Sequence, residues 1–162
     1  MTIRPEGPCD HHALRALHRA CFPTPAEAEL VDRLRADEDV VISLLSSDQD
    51  KLVGYVLLSR MSAPFRALGL GPVAVAEGHR RQGVAAGLIQ ASILEARARG
   101  WQAIFVLGDP AYYARFGFSA ELAAGFQAPY AGPYLMALAL QAEGLPVLHG
   151  RVDYAPAFAG LE

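Results

Sequence analysis

Cysteine is scarce: Cys9 and Cys21 are the only two in 162 residues, too few for a disulfide framework and best read as reduced packing residues. His11, His12 and His18 lie between them, but the segment reads as one helix, around which side chains point in different directions, and no paired C-x-x-C or H-x-x-x-H element is present. No metal site is expected. A surplus of basic charge is missing too: 14 Lys and Arg stand against 17 Asp and Glu, for a formal net charge of -3. That balance excludes the basic face of a general nucleic-acid binder, and no run of like charges suggests a tail. Hydrophobic residues make up 52% of the chain, yet no apolar run approaches the roughly 20 residues that cross a bilayer. The opening Met1-Thr2-Ile3-Arg4-Pro5-Glu6-Gly7 lacks the apolar centre of a secretion signal. The expectation is a cytoplasmic protein with neither membrane nor nucleic acid as partner. No repeat or low-complexity linker divides the chain, whose length suits one domain over residues 1–162. G-x-x-x-x-G-K-[ST], a nucleophile elbow and a Ser-His-Asp order are absent, so nucleotide triphosphatase and hydrolase readings have no support.

What is present is organised around Leu68 to Arg99. An apolar segment with Leu68, Leu70, Val73 and Val75 runs through Gly78-His79-Arg80-Arg81-Gln82-Gly83 into a helix. Leu88, Ile89, Ile93 and Ala96 share one face at helical spacing, Arg97 and Arg99 fall in the last turn, and Gly100 is the stop. The spacing Arg80-x-x-Gly83-x-Ala85 sets a cation and two minimal side chains where the first helical amides lack partners. Those amides and the positive end of the helix dipole form an anion site. The same spacing also fits a plain strand-to-helix turn whose small residues serve packing.

Around this centre the chain reads in order. Met1 to Arg4 is an edge strand, and Asp10 caps a helix bearing Leu14, Leu17 and Cys21 that Pro23 ends. Thr24-Pro25-Ala26-Glu27 reads as a capping box opening a second helix with Leu30, Val31 and Leu34 through about Ala36. Val40–Leu45 and Leu52–Met61 form an antiparallel hairpin about the polar cluster 46–51. Gly69-Leu70-Gly71-Pro72-Val73-Ala74 fits the dinucleotide fingerprint G-x-G-x-x-A, but Pro72 and more strand follow where a helix should open; it reads instead as a bulge or a break in strand pairing. Trp101–Leu107 is a buried parallel strand, reached by a right-handed crossover. Asp109 caps a short helix with Pro110 at its first position. Phe118, Tyr134–Leu140 and Val147–Val152 supply the last strands, and 121–133 is poorly determined.

Two of these segments carry a resemblance. Val73 to Leu88, with Gln82-Gly83-Val84-Ala85 inside it, resembles the acetyl-CoA-binding motif Q/R-x-x-G-x-G/A of the GCN5-related N-acetyltransferases (GNAT). Tyr112-Tyr113-Ala114-Arg115-Phe116-Gly117-Phe118 resembles the second signature of that family, a Tyr four residues ahead of a Gly-Phe pair. Leu107-Gly108-Asp109-Pro110 and Arg151-Val152-Asp153-Tyr154 are similar to a bacterial branch of small acetyltransferases, so the likeness covers nearly the whole chain.

The resemblance implies a mixed α/β (α+β) acyl-CoA N-acyltransferase fold: a mostly antiparallel, V-splayed sheet with helices on both faces. It implies acetyl-CoA as co-substrate, held by backbone groups of Val73, Ala74 and Val75, by the amides of Arg81, Gln82, Gly83, Val84, Ala85 and Ala86, by the charge of Arg80, and at Asp109, where many relatives carry Asn. Tyr113 would protonate the departing sulfur, a task suited to a phenol; its spacing alone also fits a core residue with its hydroxyl at the surface. No cysteine lies in either signature, so transfer to a small-molecule or protein amine is expected by direct attack in a ternary complex. In the family the first two helices border the acceptor, which singles out Glu27, Glu29 and Asp32, although such carboxylates also serve as caps and solvated faces. Glu77 stands where a Pro is frequent and reads as a loop carboxylate; His79 sits beside the phosphates and His149 at a strand end. No general base stands out. A non-catalytic acyl-CoA-binding or sensing module, use of longer acyl donors, and a homodimer remain open.

Overall fold

The computed structural model describes residues 1–161. Its main sheet has six strands in the order β1 (Thr2–Pro5), β2 (Val40–Asp48), β3 (Lys51–Arg60), β4 (Ala67–Val75), β5 (Ala103–Leu107) and β7 (Leu135–Ala139). Every neighbouring pair is antiparallel except β4 with β5. The remaining two strands, β6 (Phe126–Gln127) and β8 (Gly150–Arg151), pair in parallel apart from it.

Alternation along the strands builds a layer on each face. Val56 and Leu58 of β3 turn toward α3 (Val84–Ala98) and pack with Leu88, Ile89 and Ile93. Tyr55 and Leu57 turn the other way, onto Leu14 and Leu17 of α1 (His11–Cys21) and Leu30, Val31 and Leu34 of α2 (Ala26–Ala36). A third cluster joins Phe105, Leu135, Phe126 and Val152 around the β5–β7 end. Gly54 lets α3 approach closely: a Cβ there would stand 2.6 Å from Val84 Cγ1 and 2.9 Å from Leu88 Cδ1. The first turn of α3 is therefore pressed onto β3, fixing the loop before it.

The sheet is splayed at a defined place. β4 and β5 pair only from Ala67↔Ala103 to Gly69↔Phe105, although β4 continues to Val75 and β5 to Leu107. On the other edge of β4 the register jumps from Leu58↔Leu70 to Val56↔Val73, so Gly71 and Pro72 bulge opposite Leu57. Pro72 has no N–H to offer a ladder, and Gly71 has φ +140, a backbone angle that residues with a side chain rarely adopt.

Several local expectations need correction. The hairpin turn is only Gln49–Asp50, both at positive φ, because Ser46, Ser47 and Asp48 pair with Gly54, Leu52 and Lys51 as strand residues. Asp10 precedes α1 but does not cap it with its side chain; the carboxylate turns back to accept from Gly7 N–H at 2.7 Å and to pair with Arg4 at 2.8 Å. Thr24 makes no capping box: its hydroxyl accepts only from Ala26 N–H, at 3.3 Å. Pairing in the parallel strand begins at Ala103 rather than Trp101, and the segment 147–152 yields the short β8 alone.

Candidate functional site

Two cavities adjoin the place where β4 leaves β5. The first, about 520 Å³, lies over the β4–α3 loop and is walled by Val73, Val75, His79, Arg80, Arg81, Gly83, Val84, Ala85, Ala86, Tyr112 and Arg115. Its floor follows from strand register. Ala76 N–H donates to Val53 O at 2.8 Å, which makes Gly54↔Val75 a non-hydrogen-bonded pair in the antiparallel ladder. Val73 and Val75 thus turn their N–H and C=O groups away from β3, to the side β5 has vacated. Ala74, between them, is in the hydrogen-bonded pair with Tyr55, so its backbone polar groups face β3 and not the cavity.

The loop beyond gathers amides. Arg81 at φ 64 and Gly83 at φ 81 bring left-handed residues into one short turn, and Gly83 is the N-cap of α3 with no side chain capping the helix. The N–H groups of Val84, Ala85 and Ala86 therefore keep the unpaired status of a first turn. A Cβ at Gly83 would meet nothing within 4 Å, so the space before the amides is open. Cations surround it. Arg80 Nε donates to Val75 O at 3.1 Å, anchoring its guanidinium at the strand end, and the guanidinium of Arg115 lies 4.5 Å above the ring centre of Tyr112. His79 Nε2 is 3.2 Å from Asp48 Oδ2. A chain of net charge -3 thus concentrates three arginines in this cavity. Gln82 is exposed and outside the wall.

Tyr113 belongs to neither cavity wall; it ends α4 (Pro110–Tyr113), beside Tyr112 of the first wall. Its ring meets Tyr112 edge-on at 5.1 Å and Phe118 at 5.8 Å between centres. Burial, and then the neighbouring Tyr112, push its phenol above the usual tyrosine value, so it holds its proton at neutral pH. Asp109 caps α4 as expected, its Oδ1 accepting from Ala111 N–H at 3.1 Å, and it lines neither cavity.

The second cavity, about 340 Å³, opens on the far side of the bulge, with Leu70, Gly71 and Pro72 of β4 and Leu107 of β5 meeting Glu27, Leu30, Tyr130, Tyr154 and Phe158. Tyr154 packs on the strand because Gly69 has no side chain; a Cβ there would stand 2.5 Å from the tyrosine Cε1. Burial, then Tyr130 and Tyr113, hold the Tyr154 phenol well above its usual range, which ties this cavity to Tyr113. Of the three acidic residues singled out, Glu27 alone lines the cavity. Asp32 pairs with Arg15 and Arg35, and Glu29 is exposed.

Sequence reasoning missed Tyr112 and Arg115 in the first cavity and Tyr130, Tyr154 and Phe158 in the second. Arg115 lies inside the Tyr113 signature but carries no spacing signal of its own, and the C-terminal aromatics reach the site only through tertiary packing. Cys21 is also more than filler: its thiol donates to Val75 O at 3.3 Å. Among the described residues no three His, Cys, Asp or Glu side chains are gathered as a metal ion would require, and no helix is long and apolar enough to cross a membrane.

Comparison with known proteins agrees with this architecture. The N-acetyltransferase YhbS of Escherichia coli K12, itself uncharacterized, is 40% identical over 128 residues, 76% of this chain and 75% of that protein. YjhQ of the same organism, also an uncharacterized N-acetyltransferase, is 35% identical over 133 residues, 76% and 73% of the two chains. Among solved structures, E. coli YhbS in complex with CoA superimposes with a TM-score of 0.91 at 32% identity, over 98% of this chain and 91% of that one. A Brucella melitensis GNAT acetyltransferase in complex with acetyl-CoA gives 0.81 at 29% identity, with 97% of each chain covered. Residues 11–118 match the acetyltransferase (GNAT) family as a whole, and on these grounds the chain belongs to that family and is an acyltransferase.

Proposed function

We propose that this protein transfers the acetyl group of acetyl-CoA to a primary amine by direct attack within a ternary complex. The observation that carries the reading is the gap between β4 and β5 beyond Gly69 and Phe105, which leaves the N–H groups of Val73 and Val75 turned away from β3 between an arginine-rich amide cradle and a second, largely apolar cavity. The cradle suits a diphosphate: amides of Gly83, Val84, Ala85 and Ala86 at a helix start, open space before Gly83, and the charges of Arg80, Arg81 and Arg115. The bound CoA and acetyl-CoA of the two related structures support the same assignment.

In the proposed reaction the acceptor ammonium gives one proton to water and the freed nitrogen attacks the thioester carbon. The C–N bond forms, the C–S bond breaks, and the nitrogen loses its second proton. Strand N–H groups at Val73 and Val75 stabilise charge on the carbonyl oxygen. Tyr113, protonated because burial disfavours its phenolate, gives its proton to the departing sulfur and regains one from solvent. All residues act within one domain in this reading.

A thermal melt and a thiol-release assay test it. At a hundredfold excess over Kd, acetyl-CoA raises stability by about 2.7 kcal/mol, a rise of about 5–10 °C for a chain of this size. Free CoA thiol then appears only when an amine is added. A protein that melts identically with and without acetyl-CoA would overturn the reading, and binding without thiol release across an amine panel would make the chain a CoA-binding module instead.

A further inference from the structure

Resting on the reading above, we infer that the acceptor is an apolar amine with a single positive charge, such as an arylalkylamine, held in the second cavity with its ammonium on Glu27. The wall defines the class. Leu30, Leu70, Tyr130, Tyr154 and Phe158 present hydrocarbon and ring faces, and Glu27 is the one formally charged residue of the wall. Its Oε2 is buried and accepts no hydrogen bond among the described residues. A carboxylate oxygen removed from water without a donor is costly unless a ligand supplies one. An ammonium supplies three donors and the compensating charge.

The neighbouring acids offer no second cation site. Asp32 is spent on Arg15 and Arg35, and Glu29 faces solvent off the wall. A polyamine or an aminoglycoside would therefore desolvate further charges against Leu30, Leu70 and Phe158. The cavity volume of 340 Å³ falls at the low end of the roughly 300–1,000 Å³ typical of small-molecule sites, room for one ring and a short chain. Tyr154 adds a ring face and a buried hydroxyl that has no partner among the described residues. Its ring meets Tyr130 at 5.8 Å and Phe158 at 5.1 Å between centres, an aromatic corner in which a substrate ring finds edge and face contacts. The Gly71–Pro72 bulge forms the side of this cavity nearest the vacated edge of β4, where an acyl carbonyl is expected.

The test is calorimetric titration of 2-phenylethylamine into the protein, alone and saturated with CoA, beside 2-phenylethanol, spermidine and a lysine-containing peptide. 2-Phenylethylamine is expected to bind at least tenfold tighter than any of the other three. In Glu27→Gln the preference for the amine over the alcohol vanishes while CoA affinity stays within twofold; a loss of fold would lower both. Tighter binding of spermidine or the peptide, or an undiminished amine preference in Glu27→Gln, overturns it. So does octanoyl-CoA binding that displaces 2-phenylethylamine, which would assign the cavity to a long acyl chain. Failure of CoA to bind defeats the acetyltransferase reading, and the titration without CoA still decides the amine pocket.

Discussion

Gly108 lies against the ring of Tyr113, so close that a single added carbon at position 108 would stand 2.4 Å from the tyrosine Cε2 and 2.8 Å from its Cδ2. The last residue of α4 is thereby seated by the residue that follows β5, and the capping of α4 by Asp109 fixes the span between them. The proposed proton donor is positioned from behind by an absence of side chain.

Tyr113→Phe keeps the ring and removes the proton. With general-acid contributions of about 10²–10⁴ in rate, turnover falls by at least about a hundredfold while the melting shift with acetyl-CoA is retained. Steady-state kinetics beside a melt checks this, and parental turnover in the variant removes Tyr113 from the mechanism. Gly108→Ala leaves the phenol intact but forces its ring aside. Turnover drops here as well, again with CoA affinity kept, and a variant as active as the parent would show that the ring has room to move.

In the cradle, Arg115→Ala removes a guanidinium that the sequence motif does not include. The expected loss in CoA affinity is about tenfold, equivalent to about 1.4 kcal/mol, and it shrinks as salt rises because the site is open to solvent. Gly83→Ala acts through the backbone instead. At φ 81 an L-residue pays roughly 1–2 kcal/mol, so the turn relaxes and CoA binding weakens without any charge being lost. Titrations of CoA at low and high salt separate the two: a salt-independent defect in Arg115→Ala would contradict its electrostatic role.

Gly54→Ala probes how firmly the cradle is held. The new methyl group collides with Val84 and Leu88 at the first turns of α3. Overpacking of a well-filled core costs roughly 1–3 kcal/mol, and because Val84 is also a wall residue the damage reaches the site. The melting temperature falls and CoA affinity falls with it. An unchanged melt would mean that α3 slides freely on β3.

The legible parts of this molecule were those where one local pattern sets one structure. The face of Leu88, Ile89, Ile93 and Ala96 with its Gly100 stop marks α3, and Gly71-Pro72 marks the bulge, because no other arrangement satisfies those side chains locally. The turn before α3 was legible in part: Gly83 takes the positive φ that glycine allows, but its spacing fitted a plain strand-to-helix turn as well as an anion site. Ala74 was not separable from Val73 and Val75 in sequence, since which backbone groups face outward depends on ladder phase with β3. Asp109 was legible as the cap of α4, because a carboxylate directly before Pro110 meets the free N–H of Ala111. The second cavity was least legible of all. Tyr130, Tyr154 and Phe158 come from the irregular C-terminal third, where no periodicity signals which aromatic turns inward, and only the small side of Gly69 registers the presence of Tyr154 against the strand.

His18 gives the fold a pH dependence of predictable sign. It is 1% exposed, its Nδ1–H donates to Leu14 O at 2.7 Å, and its Nε2 has no partner among the described residues. Tyr55 meets its ring edge-on at 5.1 Å and Phe22 stacks at 6.1 Å, so two of its neighbours are aromatic rings. Burial, the largest cause, lowers its pKa below the ordinary 6.5; the Leu14 carbonyl works against it, Arg35 adds to the lowering, and Glu27 and Glu6 oppose it least. The unfolded chain therefore binds a proton at about pH 6.5 that the folded chain refuses. Above that pH both states are neutral at this residue and it contributes no pH dependence. As pH falls below about 6.5 stability is lost progressively, and the loss levels off only once the folded-state pKa is passed. Melts between pH 8 and pH 5 in constant salt should show a decline that His18→Phe reduces relative to the parent, whatever the substitution does to the absolute melting temperature. Identical slopes for the two proteins would mean that the buried imidazole accepts its proton in place.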